Sequence, residues 1–111
     1  MKVNEAPMQW LEICTLTDIP KLGSRVVKHA QGDIAVFRTG TDEVFALRDR
    51  CPHKGGPLSQ GIVHGNKVTC PLHGWNICLD DGTAVAPDIG CAPAFPVKVE
   101  NEVVFLGLNS V

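Results

Sequence analysis

Short apolar runs separated by turn residues set the pattern of this chain. Ile34-Ala35-Val36-Phe37 and Val44-Phe45-Ala46-Leu47 predict strands over 34–38 and 44–48, joined by Thr39-Gly40-Thr41-Asp42-Glu43, a hairpin loop containing Gly. Ile62-Val63-His64 and Lys67-Val68-Thr69 flank Gly65-Asn66, a two-residue turn suited to a tight hairpin. Further strands are expected at 9–14, 24–29 and 75–79. Gln31-Gly32-Asp33 and Asp80-Asp81-Gly82-Thr83 read as turns. A last hairpin is expected from Phe95–Val99 and Glu102–Leu106 around Glu100-Asn101. Thr17-Asp18-Ile19-Pro20 predicts a turn or one helical turn capped by Thr17 or Asp18. Gly23 reads as a break, 84–94 as a loop with Pro87, Gly90 and Pro93, and 1–8 as a polar arm. No segment sustains apolar spacing at i, i+3, i+4, i+7, so the expected class is all-β, an antiparallel sandwich or barrel.

Length and charge narrow the function classes. The 111 residues suit one domain over 1–111, with a core over about 9–106. Net charge is −2, and no basic stripe or run of like charge points to nucleic acid or an anionic membrane. No apolar run approaches the roughly 20 residues of a membrane span. Met1-Lys2-Val3-Asn4-Glu5 leads into no apolar signal core, so a cytoplasmic location is expected. Five cysteines without a secretory signal read as ligands or buried thiols rather than a disulfide framework.

The chemistry concentrates between residues 51 and 73. Cys51-Pro52-His53 is a C-x-H box, 54–69 is a 16-residue interval, and Cys70-Pro71-Leu72-His73 is a C-x-x-H box. The hairpin in the interval would bring the boxes side by side. Thiolate and imidazole together select zinc, copper, iron or an iron–sulfur cluster. Gly55 and Gly56 permit a sharp turn and let backbone N–H groups approach inorganic sulfide. A tetrahedral Cys₂His₂ zinc site is one reading. A C-x-H box fits it less well than it fits a [2Fe–2S] cluster with both thiolates on one iron and both imidazoles on the other.

This pair of boxes resembles the Rieske signature. Cys51-Pro-His53-Lys-Gly-Gly-Pro-Leu-Ser and Cys70-Pro-Leu-His73-Gly-Trp match its two cluster loops. The resemblance implies an antiparallel fold with both loops at one tip. It implies cluster ligands Cys51, His53, Cys70 and His73, with Gly55, Gly56, Leu72, Trp75 and Pro93 around them. It also implies a third, Pro-containing loop over the cluster, matched by Gly90-Cys91-Ala92-Pro93-Ala94. High-potential members carry an extra Cys in each box, joined as a disulfide, and Ser and Tyr hydroxyls aimed toward sulfur. Gly56, Leu72, Trp75 and Ile77 stand at those positions here. Fewer donors leave the added charge of the reduced state less stabilised, so a low-potential, one-electron carrier is expected.

The flanking residues resemble the small subunit of assimilatory NAD(P)H-dependent nitrite reductase. The resemblance runs over Phe45–Gly61 and Cys70–Gly82 and continues through Pro87-Asp-Ile-Gly-Cys91. It implies a large partner subunit carrying FAD, an iron–sulfur cluster and sirohaem, which reduces nitrite to ammonia. The alternatives are a ferredoxin component of an aromatic ring-hydroxylating dioxygenase and a structural zinc module. Such ferredoxins more often have Thr after the first Cys and an aromatic-Asp pair after the second box, where Pro52 and Ile77-Cys78 stand. Cys14 and Cys78 read as core residues, Cys91 as packing or shielding, and His29 and His64 as solvated. Arg48, Arg50 and Lys54 bracket the first box as a candidate docking edge or a solvated strand end. No catalytic constellation is present in the sequence: the substrate expected of this chain is an electron.

Overall fold

The computed structural model describes residues 9–52, 55–72 and 74–108. The expected arm over 1–8 and His53, Lys54 and His73 lie outside the described residues. Among the described residues ten strands form three antiparallel sheets: β1 (Gln9–Thr15), β10 (Val103–Leu108) and β9 (Val97–Glu100) in the order β1-β10-β9; β2 (Gly23–Val27), β3 (Ile34–Arg38), β4 (Val44–Arg48) and β8 (Ala94–Phe95) in chain order; and β5 (Ile62–His64), β6 (Lys67–Thr69) and β7 (Asn76–Cys78) in chain order. Among the described residues, no helix is long and apolar enough to cross a membrane.

The β2-β3-β4-β8 sheet lies between the other two, which explains the unbroken apolar run in β3. Ile34 and Val36 pack with Ile19, Ala46, Val104 and Leu106 in one core, while Ala35 and Phe37 pack with Leu47, Leu58, Val68 and Ile77 in the other. Successive side chains point to opposite faces of a strand, so a strand covered on both faces carries no polar alternation.

Several boundaries differ from the sequence expectation, each for a local reason. The helical turn is a 3-10 turn over Leu16–Asp18, and Thr15 precedes it in place of the expected caps Thr17 or Asp18. The Asp18 carboxylate accepts the Thr15 N–H at 2.9 Å and its hydroxyl at 3.0 Å. The Thr15 N–H holds that carboxyl below the usual range. Gly23 opens β2 instead of breaking the chain, and β2 ends at Val27 because His29 closes a turn with Gly32. Pro96 divides the expected Phe95–Val99 strand. Phe95 pairs with Ala46 in the middle sheet, while Val97 begins pairing with Leu106 in the β1 sheet. Proline has no N–H to continue a ladder, and its carbonyl instead accepts the Gly107 N–H at 2.8 Å. The last turn is Asn101-Glu102, both at positive φ, and β10 runs on to Leu108. The expected 84–94 loop ends at Pro93, because Ala94 pairs with Leu47 and opens β8, and isolated bridges pair Ala84 with Ile77 and Cys91 with Thr83.

Candidate metal centre

The two boxes fold into matched loops. Cys51 N–H donates to the Gly56 carbonyl at 2.7 Å, and Gly55 N–H donates to the Cys51 carbonyl at 2.9 Å. In the second box, Cys70 N–H donates to the Trp75 carbonyl at 2.7 Å, and Gly74 N–H donates to the Cys70 carbonyl at 3.2 Å. The fourth residue after each Cys is therefore a glycine in the same conformation, at φ 77° for Gly55 and 75° for Gly74. That left-handed region favours glycine. One turn has been used twice, at the ends of different sheets: loop 1 leaves β4, and loop 2 joins β6 to β7.

The loops nest against each other. A Cβ on Gly56 would lie 2.6 Å from Leu72 Cδ1 and 3.7 Å from Cys70 Sγ. The Leu72 side chain fills the space that a side chain at Gly56 would occupy. The β5–β6 hairpin thus does bring the boxes together. Cys51 is 1% exposed and Cys70 2%, both within the core shared by the β2-β3-β4-β8 and β5-β6-β7 sheets. No disulfide joins any of the five cysteines.

The third loop closes against the first. A Cβ on Gly90 would meet Pro52 Cβ at 2.9 Å and Trp75 Cζ3 at 3.9 Å. Gly82 anchors this loop from the other side: it donates its N–H to Cys78 O and accepts from Ala92 N–H, both at 2.8 Å. An open cleft of about 440 Å³ separates loop 1 from loop 3, lined by Arg48, Arg50, Cys51, Pro52, Gly55, Cys91 and Pro93. Pro93 and Gly55 therefore face the cleft as exposed residues, and Trp75 is half-buried against the core.

The remaining candidates separate clearly. Arg48 is engaged: it donates to the Gly32 carbonyl at 2.5 Å and sits 4.9 Å from the Phe95 ring centroid. Arg50 is exposed on the cleft wall beside Gly55. Cys14 and Cys78 are half-buried rather than fully in the core, and burial pushes the Cys14 thiol up. Cys91 is exposed on the cleft. His64 is exposed yet lies 2.8 Å from the Thr69 hydroxyl, so it is not simply solvated. Asp81 builds its turn as expected; the Thr83 N–H on its carboxylate holds it below the usual range.

The residues present fit an iron–sulfur centre on their own chemistry. Two buried thiols on adjacent loops would be costly as uncompensated thiolates and are natural ligands for a soft metal. Across residues 9–96 the chain matches the family model for the Rieske [2Fe–2S] domain. The chain belongs to the Rieske [2Fe–2S] family. It is 35% identical to the 3-phenylpropionate/cinnamic acid dioxygenase ferredoxin subunit of Photorhabdus laumondii, over 92% of this chain and 97% of that protein. It is 42% identical to methylxanthine N1-demethylase NdmA of Pseudomonas putida over 60% of this chain, but spans only 20% of that longer protein. Among solved structures, it superposes with a TM-score of 0.83 and 22% identity on a Mycobacterium tuberculosis protein assigned as an NADH-dependent nitrite reductase small subunit. That match covers 95% of this chain and 99% of the other, and it shows the Rieske fold.

Proposed function

We propose that this chain is the Rieske small subunit of an NAD(P)H-dependent assimilatory nitrite reductase. In this reading Cys51 and Cys70 hold one iron of a [2Fe–2S] cluster and His53 and His73 the other. When bound, such a cluster supplies a one-electron redox centre. The chain's own residues bury the thiols, fix the two loop turns and present a tip to a partner. That partner is a large subunit carrying FAD, an iron–sulfur cluster and sirohaem.

The observation that carries this reading is spatial. The three stretches that resemble the nitrite reductase small subunit, separated in the chain by the β5–β6 hairpin and a short loop, meet around loop 1. Leu72 lies against Gly56, and Gly90 lies against Pro52. Beside these contacts the tip exposes apolar surface, with Leu72 51% and Ile89 88% exposed. Solvated aliphatic side chains around a redox tip favour a docked partner. A ring-hydroxylating dioxygenase ferredoxin is the second reading, supported by the 35% identity to the Photorhabdus laumondii ferredoxin subunit over nearly its whole length.

Co-purification from the native cell, with nitrite consumption assayed with and without this chain, tests the proposal. Capture of a sirohaem-containing reductase is expected. Capture of an oxygenase that the chain reduces would replace this reading with the second. Ile89→Asp or Leu72→Asp should slow electron delivery to the captured partner about tenfold, as loss of an interface hot spot does. The visible spectrum of Ile89→Asp should be unchanged. Undiminished delivery by both variants would move the docking surface elsewhere.

A further inference from the structure

We infer that Asp49 is a positioning residue for the first ligand loop, acting through a two-pronged grip on Ser59 that closes the loop at its neck. The inference rests on the reading of Cys51 and Cys70 as cluster ligands.

Asp49 stands two residues before Cys51, and Ser59 eight residues after it. Asp49 Oδ1 accepts the Ser59 N–H at 2.7 Å, and Oδ2 accepts the Ser59 hydroxyl at 2.7 Å. One carboxylate thus spends both oxygens on one residue, which fixes rotation as well as distance. Charge-assisted hydrogen bonds of this length are about twice as strong as neutral ones. Both ends of the grip are tied to the scaffold. Asp49 N–H donates to the Asp33 carbonyl at 2.9 Å, and the Ser24 hydroxyl of β2 donates to the Ser59 carbonyl at 2.7 Å. Leu58, next to Ser59, is fully buried.

The second loop is closed differently. Thr69 Oγ–H donates to Asn76 Oδ1 at 2.6 Å across the neck of the 70–75 turn. With that proton so placed, the His64 Nε2–H donates to Thr69 Oγ at 2.8 Å. Loop 1 is therefore held to the middle sheet by an anion, and loop 2 is held within its own sheet by neutral groups and an imidazole. Each proposed ligand thiol thus lies in a loop with its own mount. Releasing the Asp49 grip would loosen Cys51 while leaving Cys70 in place.

The test uses the full-length holoprotein carrying Asp49→Ala, Ser59→Ala, the double substitution, or the conservative Ser59→Thr. The readouts are the EPR spectrum of the reduced protein, the rate of iron release to a chelator and far-UV circular dichroism. Asp49→Ala should alter the EPR line shape and release iron roughly tenfold faster, the scale of one lost charged hydrogen bond. The double variant should be no worse than Asp49→Ala alone, because both act through one grip. Ser59→Thr should behave as wild type. A native spectrum and release rate in both alanine variants would overturn the inference. If Asp49→Ala does not fold, Ser59→Ala alone decides it in the same way. A wild-type protein with no iron–sulfur spectrum would instead overturn the ligand reading, and the positioning role with it.

Discussion

Serine in place of Cys51 or Cys70 should give a folded chain that has lost its iron and its red-brown colour, whereas Cys14→Ser and Cys91→Ser should keep both. The contrast follows from where the thiols sit. Cys51 and Cys70 are buried at equivalent points of two matched loops that touch through Gly56 and Leu72. Cys14 packs against the other core, between the β1 and β2 sheets, and Cys91 is exposed on the third loop. A serine hydroxyl is a far poorer ligand for a soft metal than a thiolate. It is close enough in size for the fold to survive, at about 1–3 kcal/mol for a buried polar group left short of partners. Iron and sulfide analysis of the four purified variants checks this. Full iron in Cys70→Ser would remove that residue from the site. Loss of iron in Cys91→Ser with the fold intact would mean that the third loop supplies a ligand.

Gly82→Val should be the most damaging single change outside the two boxes. Gly82 is at φ 77°, and a Cβ there would collide with the Ala92 carbonyl oxygen and come within 3.3 Å of Leu47 Cδ2. The collision is with backbone, so no rotamer relieves it. A β-branched residue at positive φ adds strain of roughly 1–3 kcal/mol, and forced overpacking a similar amount. A combined loss of about 3 kcal/mol corresponds to a fall of roughly 10–20 °C in melting temperature for a domain of this size. The damage should also reach the site, because Gly82 pairs with Ala92 at the base of the third loop. Thermal denaturation followed by circular dichroism measures the first effect and chelator sensitivity the second. A melting temperature within a few degrees of wild type would show that the turn tolerates a side chain.

The hairpins 34–38/44–48 and 62–64/67–69 were legible because each carries its signal locally, in an apolar run closed by a glycine-containing turn. The two boxes were legible for a similar reason: four ligand-type residues and their glycines lie within one short stretch. What escaped depends on tertiary structure. Nothing near Phe95 tells that Pro96 hands the chain from one sheet to another. Thr15, Thr17 and Asp18 are equally suited to caps, and the fold chooses among them. The Asp49–Ser59 grip left one faint trace, a short polar residue on each side of the first box. A pairing across ten residues becomes visible only once loop 1 has turned back on itself.

A mixed thiolate–imidazole [2Fe–2S] centre without the features that raise potential should be a low-potential carrier. Gly56 and Leu72 stand where a bridging disulfide would be, packed against each other, and Ile77 is buried in the core with no hydroxyl to donate. A redox titration of the purified native protein, followed by EPR, tests this most directly. A one-electron midpoint of roughly −150 mV is expected, above plant-type ferredoxins because two neutral imidazoles replace two thiolate charges. A midpoint above about +100 mV, or a colourless protein holding only zinc, would contradict it.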